Sequence, residues 1–327
     1  AFSYIFNLFP LGLENPSNYS SKYFLDFTSS PGKLIFWHSL FLITTCLIVG
    51  LGVIKGIGKS VNFLMPFLFI FIILISLYSS YVGDLKSTLR FLFNPDFSAI
   101  TPDVVISAMG QAFFSLSIGM GAIMAYGAYM PEKQLIGKTV LTIILLDTFV
   151  ALAAGIAIFP IVFSNASLEV TAGPGLLFET LPVAFYSLPY GNLFSIIFFL
   201  LISIAALSSS ISLLEPFTAW MEEKKKYTRS IIVVFLGSLI WFLGLASILS
   251  FNIWSDVKLF GLNFLELLDY LTNNLMLPLG GFFVVLLIGW FMPYDFLKQN
   301  LNFNEFSFKI FYFFLRYVCT SSIVLIF

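Results

Sequence analysis

The chain has 327 residues, of which 59% are hydrophobic, 18% aromatic and only 10% charged, and its formal net charge is −1. Soluble domains carry about 25% charged residues, so this composition predicts a polytopic membrane protein. The near-neutral charge offers no basic surface for nucleic acid. The single histidine, His38, excludes a histidine-based catalytic triad or metal centre, and we expect no enzyme.

A membrane-spanning helix needs about 20 mostly apolar residues, and the sequence predicts eight, in an all-α fold. They cover residues 35–54, 61–81, 103–130, 139–163, 191–221, 230–251, 263–293 and 306–327. The polar residues 1–34 predict an extracellular loop before a transmembrane domain over 35–327. Residues 164–190 mix glycine and proline with apolar residues, which predicts an extracellular capping loop. Lysines and arginines favour one side, which the positive-inside rule assigns to the cytoplasm of a multi-pass plasma (inner) membrane protein.

The third predicted span carries Ser115, Ser117, Gly119 and Gly121 near its middle. Glycine costs roughly 1 kcal/mol in a helix relative to alanine, and each backbone group left unsatisfied in hydrocarbon costs several kcal/mol. A weak point at this depth predicts a helix that breaks near 116–120. The freed amides and carbonyls would then hold an ion and a substrate, as in many transporters.

Two further polar features lie within predicted spans. Asp147 lies in the fourth span, nine residues or about 13 Å from Lys138, so a position among the cytoplasmic headgroups is the weaker alternative. An intramembrane carboxylate is a functional candidate.

Ser208–Ser210 offers hydroxyl oxygens that suit hard cations such as Na⁺. The alternative is that these hydroxyls bond back to carbonyls one turn earlier.

Glu266 and Asp269 begin the seventh span at a spacing that places both on one helix face. They predict an acidic residue of an extracellular gate. The alternative is that both carboxylates only stabilise the solvent-exposed N-terminus of a helix.

The stretch from Gly110 to Gly121 resembles the sixth, unwound helix of the neurotransmitter:sodium symporter family. Further matches follow in the family's order: 55–59 ahead of Met65-Pro66, 172–182, 205–210, and 277–281 with Gly289-Trp290. By this resemblance the eight spans correspond to family helices four to eleven. The implied fold is a partial five-plus-five inverted repeat that lacks the first three transmembrane helices.

The resemblance also implies roles for individual residues. The first sodium site would use Ser115 and Asp147, and the second would use the Ala205 carbonyl with Ser208 and Ser209. The substrate pocket would be formed by Phe114, Ser117, Ile118, Met120 and Leu213. The extracellular gate would use Gln111 and Asp269.

The implied function is a sodium-coupled symporter that imports a small amino acid or related amine. Chloride-dependent members have a serine where this chain has Ala151, so we hypothesise that the Asp147 carboxylate supplies the charge and that chloride is not required. The alternatives are proton coupling through Asp147, or a non-transporting fragment. Because three helices are expected to be missing, the function is expected to be incomplete, and residues 1–327 alone are predicted to show no Na⁺-driven uptake. A homodimer is a candidate assembly.

Overall fold

The structure is a computed structural model that describes residues 1–6, 15–131, 136–164, 175–224, 227–301 and 303–325. Most of these residues are helical, and they contain no β-strand. The helices are α1 Phe2–Phe6, α2 Pro16–Thr28, α3 Pro31–Gly50, α4 Lys59–Val82, α5 Leu85–Phe93, α6 Pro102–Ser115, α7 Ala122–Ala128, α8 Ile136–Phe163, α9 Leu181–Tyr186, α10 Gly191–Glu223, α11 Arg229–Leu249, α12 Phe264–Tyr270, α13 Leu277–Leu286, α14 Tyr294–Leu301, α15 Glu305–Phe313 and α16 Thr320–Val324. Shorter π-helical segments cover Val53–Gly58, Leu176–Thr180, Leu271–Met276, Leu287–Phe291 and Phe314–Cys319.

Local sequence signals explain where several helices begin. Proline occupies the first turn of α2, α3 and α6, where its missing N–H costs nothing. The Asn15 side chain accepts a hydrogen bond from the amide of Asn18 (3.1 Å), and the Asn304 side chain accepts one from the amide of Ser307 (2.7 Å). These caps satisfy amides that have no partner within the helix.

Within the described residues, six helices are long and apolar enough to cross a membrane: 31–50, 53–82, 136–163, 191–223, 229–249 and 264–291. The sequence predicted eight. The predicted span 103–130 differs because it is divided into α6 and α7, each of which is short. The predicted span 306–327 is helical over 305–324, but Lys309 and Arg316 lower its hydropathy, and residues 326–327 lie outside the described part of the chain.

The two predicted loops contain helices. Residues 1–34 include α1, α2 and the start of α3, because Asn15-Pro16 and Ser30-Pro31 are helix-start signals as well as polar residues. That this segment faces outward stays a prediction. The predicted capping loop 164–190 contains Leu176–Thr180 and α9, whose residues Leu181 and Phe185 are buried. Residues 165–174 of that loop, and the start of the 172–182 motif, lie outside the described residues.

The chain divides into two compact units. The first comprises Ala1–Pro95 and Val150–Leu265. Its core is a cluster of buried apolar side chains: Tyr4, Ile72, Ile75, Ala157, Ile161, Val162, Leu181, Ala184, Phe185, Phe198, Phe199 and Leu201. In the same unit α3 and α11 lie so close that a Cβ atom on Gly237 would be 2.6 Å from Cys46 Sγ.

A buried ion pair lies at the start of α11 in this first unit. Arg229 pairs with fully buried Glu215 and, at 2.8 Å, with Glu222. Its Nε atom also donates to the Val49 carbonyl at 2.8 Å. A buried charge needs such partners, so Arg229 ties the end of α3 to α10 and α11.

The second unit comprises Asp96–Phe149 and Glu266–Phe327. Within it α6 packs against α13, since a Cβ atom on Gly281 would be 2.3 Å from Phe113 Cε1. The first half of α8 belongs here too: a Cβ atom on Gly137 would be 2.5 Å from Phe303 Cε1. Glycine at these positions permits the close packing.

Candidate functional site

Helix α6 ends at Ser115 and α7 begins at Ala122, so the chain between them is not helical. The Ser117 amide donates to Phe114 O (3.1 Å) and the Ile118 amide donates to Phe113 O (2.9 Å). This pair of bonds is a Schellman motif, which satisfies two carbonyls at a helix end. It requires a left-handed residue, and Ser117 takes that role with φ 53°. The sequence had placed the break near 116–120.

The interrupted segment packs tightly against the start of α13. Gly119 has φ 84°, and a Cβ atom there would lie 2.6 Å from the Leu277 carbonyl oxygen and 2.9 Å from the Gly281 amide nitrogen. A Cβ atom on Gly280 would lie 2.6 Å from the Gly119 carbonyl oxygen. Only glycine fits at these contacts, so the break is fixed by its neighbours.

Ser115 and Asp147 are brought together by the fold. The Ser115 hydroxyl donates to Asp147 Oδ2 at 3.1 Å, although the two residues are 32 positions apart. Ser115 is the last residue of α6, and Asp147 lies in α8. A hydroxyl and a carboxylate beside an open helix end form an all-oxygen donor set, which suits a hard cation. The described residues contain no group of three or more His, Cys, Asp or Glu side chains that could hold a metal ion.

The residues of the second predicted sodium site lie on one turn of α10, which is continuous there. The Ser208 hydroxyl donates to the Ala205 carbonyl at 2.8 Å, and the Ser210 hydroxyl donates to Leu207 O at 2.9 Å. Ser209 is exposed. For Ser208 and Ser210 the structure therefore shows the local bonding that was the alternative, and Ser210 Oγ also lies 2.8 Å from Thr45 Oγ1 of α3. The structure places Ala205 O and Ser208 Oγ side by side, with Ser209 on the same turn.

The predicted substrate residues fall in both units. Phe114, Ser117, Ile118 and Met120 lie at or beside the break in the second unit, whereas Leu213 belongs to the first. Phe114 is 52% exposed and lines a cavity of about 640 Å³.

The predicted gate residues border on this cavity. Gln111 lines it directly, together with Asn273. Asp269 accepts a hydrogen bond through Oδ1 from Asn273 Nδ2 at 2.7 Å. Asn273 thus connects the carboxylate to the cavity wall.

Several polar residues of this wall were not predicted from the sequence: Asp103, Ser107, Tyr270, Asn273 and Asn274. One signal was present, because Asn273 follows Asp269 at the i, i+4 spacing that joins side chains on a helix. For Asp103 the spacing from Gln111 is eight residues, about two turns, which places both on one side of α6. Their approach to α13 needed the tertiary structure.

Comparison with known proteins assigns the family. The profile of the sodium:neurotransmitter symporter family matches residues 13–327. This chain belongs to that family. Symporters of the family are transporters rather than enzymes, and the expectation of a non-enzymatic, multi-pass membrane protein is confirmed.

Individual relatives agree with this assignment. YhdH of Bacillus subtilis, an uncharacterised sodium-dependent transporter, is 33% identical over 93% of this chain and 68% of its own length. An uncharacterised sodium-dependent transporter of Haemophilus influenzae is 34% identical over 93% of this chain and 67% of its own length. The human sodium- and chloride-dependent taurine transporter is 26% identical over 83% of this chain and 45% of its length.

The predicted fold class is confirmed by a solved structure. The crystal structure of MhsT in complex with L-phenylalanine matches with a TM-score of 0.88 and 36% identity, over 99% of this chain and 74% of that one. The family and the names of the relatives indicate a sodium-dependent transporter of a small molecule.

Proposed function

We propose that this protein couples inward Na⁺ movement to the import of a small amino acid or related amine. The observation that carries the proposal is the Ser115–Asp147 contact at the end of α6, where the helix stops. A carboxylate kept in an apolar helix costs free energy, and a bound cation offsets that cost.

The first cation uses Ser115 Oγ, the Asp147 carboxylate and backbone oxygens of the break. The second uses the Ala205 carbonyl with the hydroxyls of Ser208 and Ser209. At this second site the Ser208 hydroxyl must turn its proton away from Ala205 O, so that both oxygens face the ion. We infer two sodium sites, of which the second must reorient the Ser208 hydroxyl before it binds Na⁺.

The substrate is an amino acid with a medium apolar side chain. Ile118 and Met120 at the break, with Phe114 as a lid, provide apolar contacts, while Ser117 binds the polar end. The complex of MhsT with L-phenylalanine supports this class, and the similarity to a taurine transporter supports only the broader one of small amino acids and related amines. Gln111 and Asp269 close the outer side.

Coupling follows if Na⁺ and substrate share one ligand shell at the break. A ligand shifts a conformational equilibrium only through different affinities for its states, and the effect of Na⁺ on substrate binding equals that of substrate on Na⁺ binding. We expect each to raise the affinity of the other.

The test uses the purified protein in proteoliposomes with labelled phenylalanine. An inward Na⁺ gradient should drive uptake, and replacement of Na⁺ by K⁺ should abolish it. Uptake that persists without Na⁺ and collapses with the pH gradient would instead assign proton coupling through Asp147. Saturable ²²Na⁺ binding without uptake in either gradient is the result predicted if three helices are missing, and it would support the non-transporting alternative.

Chloride is a separate part of the proposal. Because Asp147 already supplies a negative charge and Ala151 lacks a hydroxyl, we expect uptake to be unchanged when chloride is replaced by gluconate. A large loss of uptake in gluconate would reject chloride independence and leave the sodium proposal standing.

A further inference from the structure

Arg316 is a charged residue that neither the transport sites nor the gate uses. It lies in the π-helical segment Phe314–Cys319, between apolar residues. The exposed pair Lys309 and Glu305 (3.2 Å) lies earlier on the same helix. Arg316 follows Lys309 by seven residues, about 10 Å along the helix, so its charge is separate from this exposed pair.

Aromatic rings surround the guanidinium group. Its Cζ atom is 4.3 Å from the centre of the Trp290 ring and 5.9 Å from the centres of the Tyr312 and Tyr317 rings. Nη1 is 3.2 Å from Tyr312 Oη, to which it donates, and Tyr312 Oη in turn donates to Gly289 O at 3.2 Å. These contacts orient the group.

Most hydrogen-bonding capacity of this arginine is unused. A guanidinium has five N–H donors, yet its hydrogen bond to Tyr312 uses only Nη1, and the buried Nε atom has no partner in the described part of the chain. No described carboxylate lies within 4.0 Å of it either. Cation–π contacts stabilise the charge only in part, and a partly buried cation favours an anion as its partner.

The frame around Arg316 is close-packed on one side and open on the other. The π-helical segments Leu287–Phe291 and Phe314–Cys319 lie against each other, since a Cβ atom on Gly289 would be 3.5 Å from Arg316 Cα. Such π-helical turns often occur at functional sites. Trp290 is 47% exposed, so a ligand can reach the aromatic face.

We propose that Arg316, Trp290 and Tyr312 bind a phosphate group, and that an anionic phospholipid supplies it. The planar fork of arginine matches phosphate oxygens in a bidentate arrangement. Nη2 makes no hydrogen bond in the described part of the chain and is not among its buried unpaired atoms, so the two Nη groups form the edge that a phosphate can approach. Tryptophan and tyrosine favour the level of the headgroups in a bilayer. A free phosphate ion shares this chemistry, and the experiment separates the two sources.

The test is native mass spectrometry of the whole chain in detergent, titrated with phosphatidylglycerol, phosphatidylcholine or inorganic phosphate. We expect the wild type to prefer phosphatidylglycerol. Arg316→Gln should weaken phosphatidylglycerol binding about tenfold, the usual effect of losing a charge-assisted hydrogen bond. Lys309→Gln, the matched loss of one positive charge on the same helix, should change it less than about twofold.

Each outcome is decisive. Equal phosphatidylglycerol affinity in Arg316→Gln and the wild type, or an equal loss in Lys309→Gln, overturns the site. Phosphate binding that Arg316→Gln abolishes, without a preference for phosphatidylglycerol, keeps the chemistry and assigns a soluble ion. If Arg316→Gln does not fold, Arg316→Lys is the substitute: it keeps the charge but loses the fork, and unchanged affinity in it overturns the proposal.

Discussion

The two predicted cation sites differ in how the chain brings their oxygen atoms together. Ser115 and Asp147 meet across 32 residues, at a point where α6 has stopped. Ala205 and Ser208 are three residues apart in the unbroken helix α10, and their contact is one that any helical serine can make. The two sites have similar polar residues, but tertiary structure brings the first pair together and local helix geometry brings the second pair together.

This difference shows which contacts carry functional information. The local bond between Ser208 and Ala205 satisfies both groups, so it is stable without an ion. The Ser115–Asp147 contact leaves a carboxylate with further lone pairs to satisfy, and it lies directly beside the break. The break is thus the feature whose disruption should have the largest effect.

The largest effect is expected for Gly119→Ala. The left-handed backbone costs about 1–2 kcal/mol for a residue with a side chain, and the clash with Leu277 O adds overpacking of about 1–3 kcal/mol. We expect the free energy of unfolding to fall by about 3 kcal/mol in total, and Na⁺ binding to be lost. Denaturant-induced unfolding in detergent and ²²Na⁺ binding measure the two effects.

Gly127→Ala is the matched control, because that glycine is helical and a Cβ atom added to it would meet nothing within 4 Å. Alanine there should stabilise the protein by up to about 1 kcal/mol. If the two variants have the same free energy of unfolding, the tight contact between the break and α13 is not what holds this segment in place.

The next effect is expected for Asp147→Ala. Loss of the carboxylate removes the only formal charge of the proposed first site, and Na⁺ affinity should fall at least about tenfold, the equivalent of 1.4 kcal/mol. Thr148→Ala is the control, since the Thr148 hydroxyl only donates to Ile144 O in its own helix. Unchanged ²²Na⁺ binding in Asp147→Ala would remove the first site from the proposal.

A smaller effect is expected at the second site. Ser208→Ala and Ser209→Ala should each weaken Na⁺ binding by about 1 kcal/mol or less, roughly the worth of one neutral hydrogen-bonding group. Ser208→Ala should leave stability nearly unchanged, because the hydroxyl bonds only within its own helix. Ser238→Ala, whose hydroxyl makes the same kind of bond to Val234 O, controls for that loss. Losses of Na⁺ affinity as large as that in Asp147→Ala would contradict this prediction, because they would show that the two sites contribute equally to Na⁺ binding.

The smallest effect concerns Asp84, a carboxylate fixed by local contacts outside the membrane spans. The hydroxyl and amide of Ser87 donate to it, at 2.5 and 3.0 Å, and lower its pKa. A lowered folded-state pKa means stabilisation that is present above the unfolded value of about 3.9 and is lost as the pH falls through the folded value. The difference in melting temperature between the wild type and Asp84→Ala should therefore shrink below about pH 4. Asp84→Asn, which caps without titrating, should show no such change relative to Asp84→Ala.

Much of the fold could be predicted from the sequence because its signals are local. Apolar runs of about 20 residues predict membrane helices, and a helix with Ser117, Gly119 and Gly121 at mid-length predicts a break. The helices in residues 1–34 and 176–186 were not predicted, because Asn, Ser and Pro mark loops as well as helix starts. The bond from Asn273 to Asp269 was not predicted either, although the spacing of the two residues allows it.

By itself the sequence determined the membrane class and the family, and it predicted a break near 116–120, since hydropathy and helix propensity depend on neighbouring residues and the order of motifs can be read along the chain. The tertiary structure alone decided that the Ser115 hydroxyl meets Asp147, that α13 allows no side chain at Gly119, and that Arg316 lies among rings with no described carboxylate beside it. These contacts join residues far apart in the chain, and their distances depend on how helices pack, which no local pattern encodes.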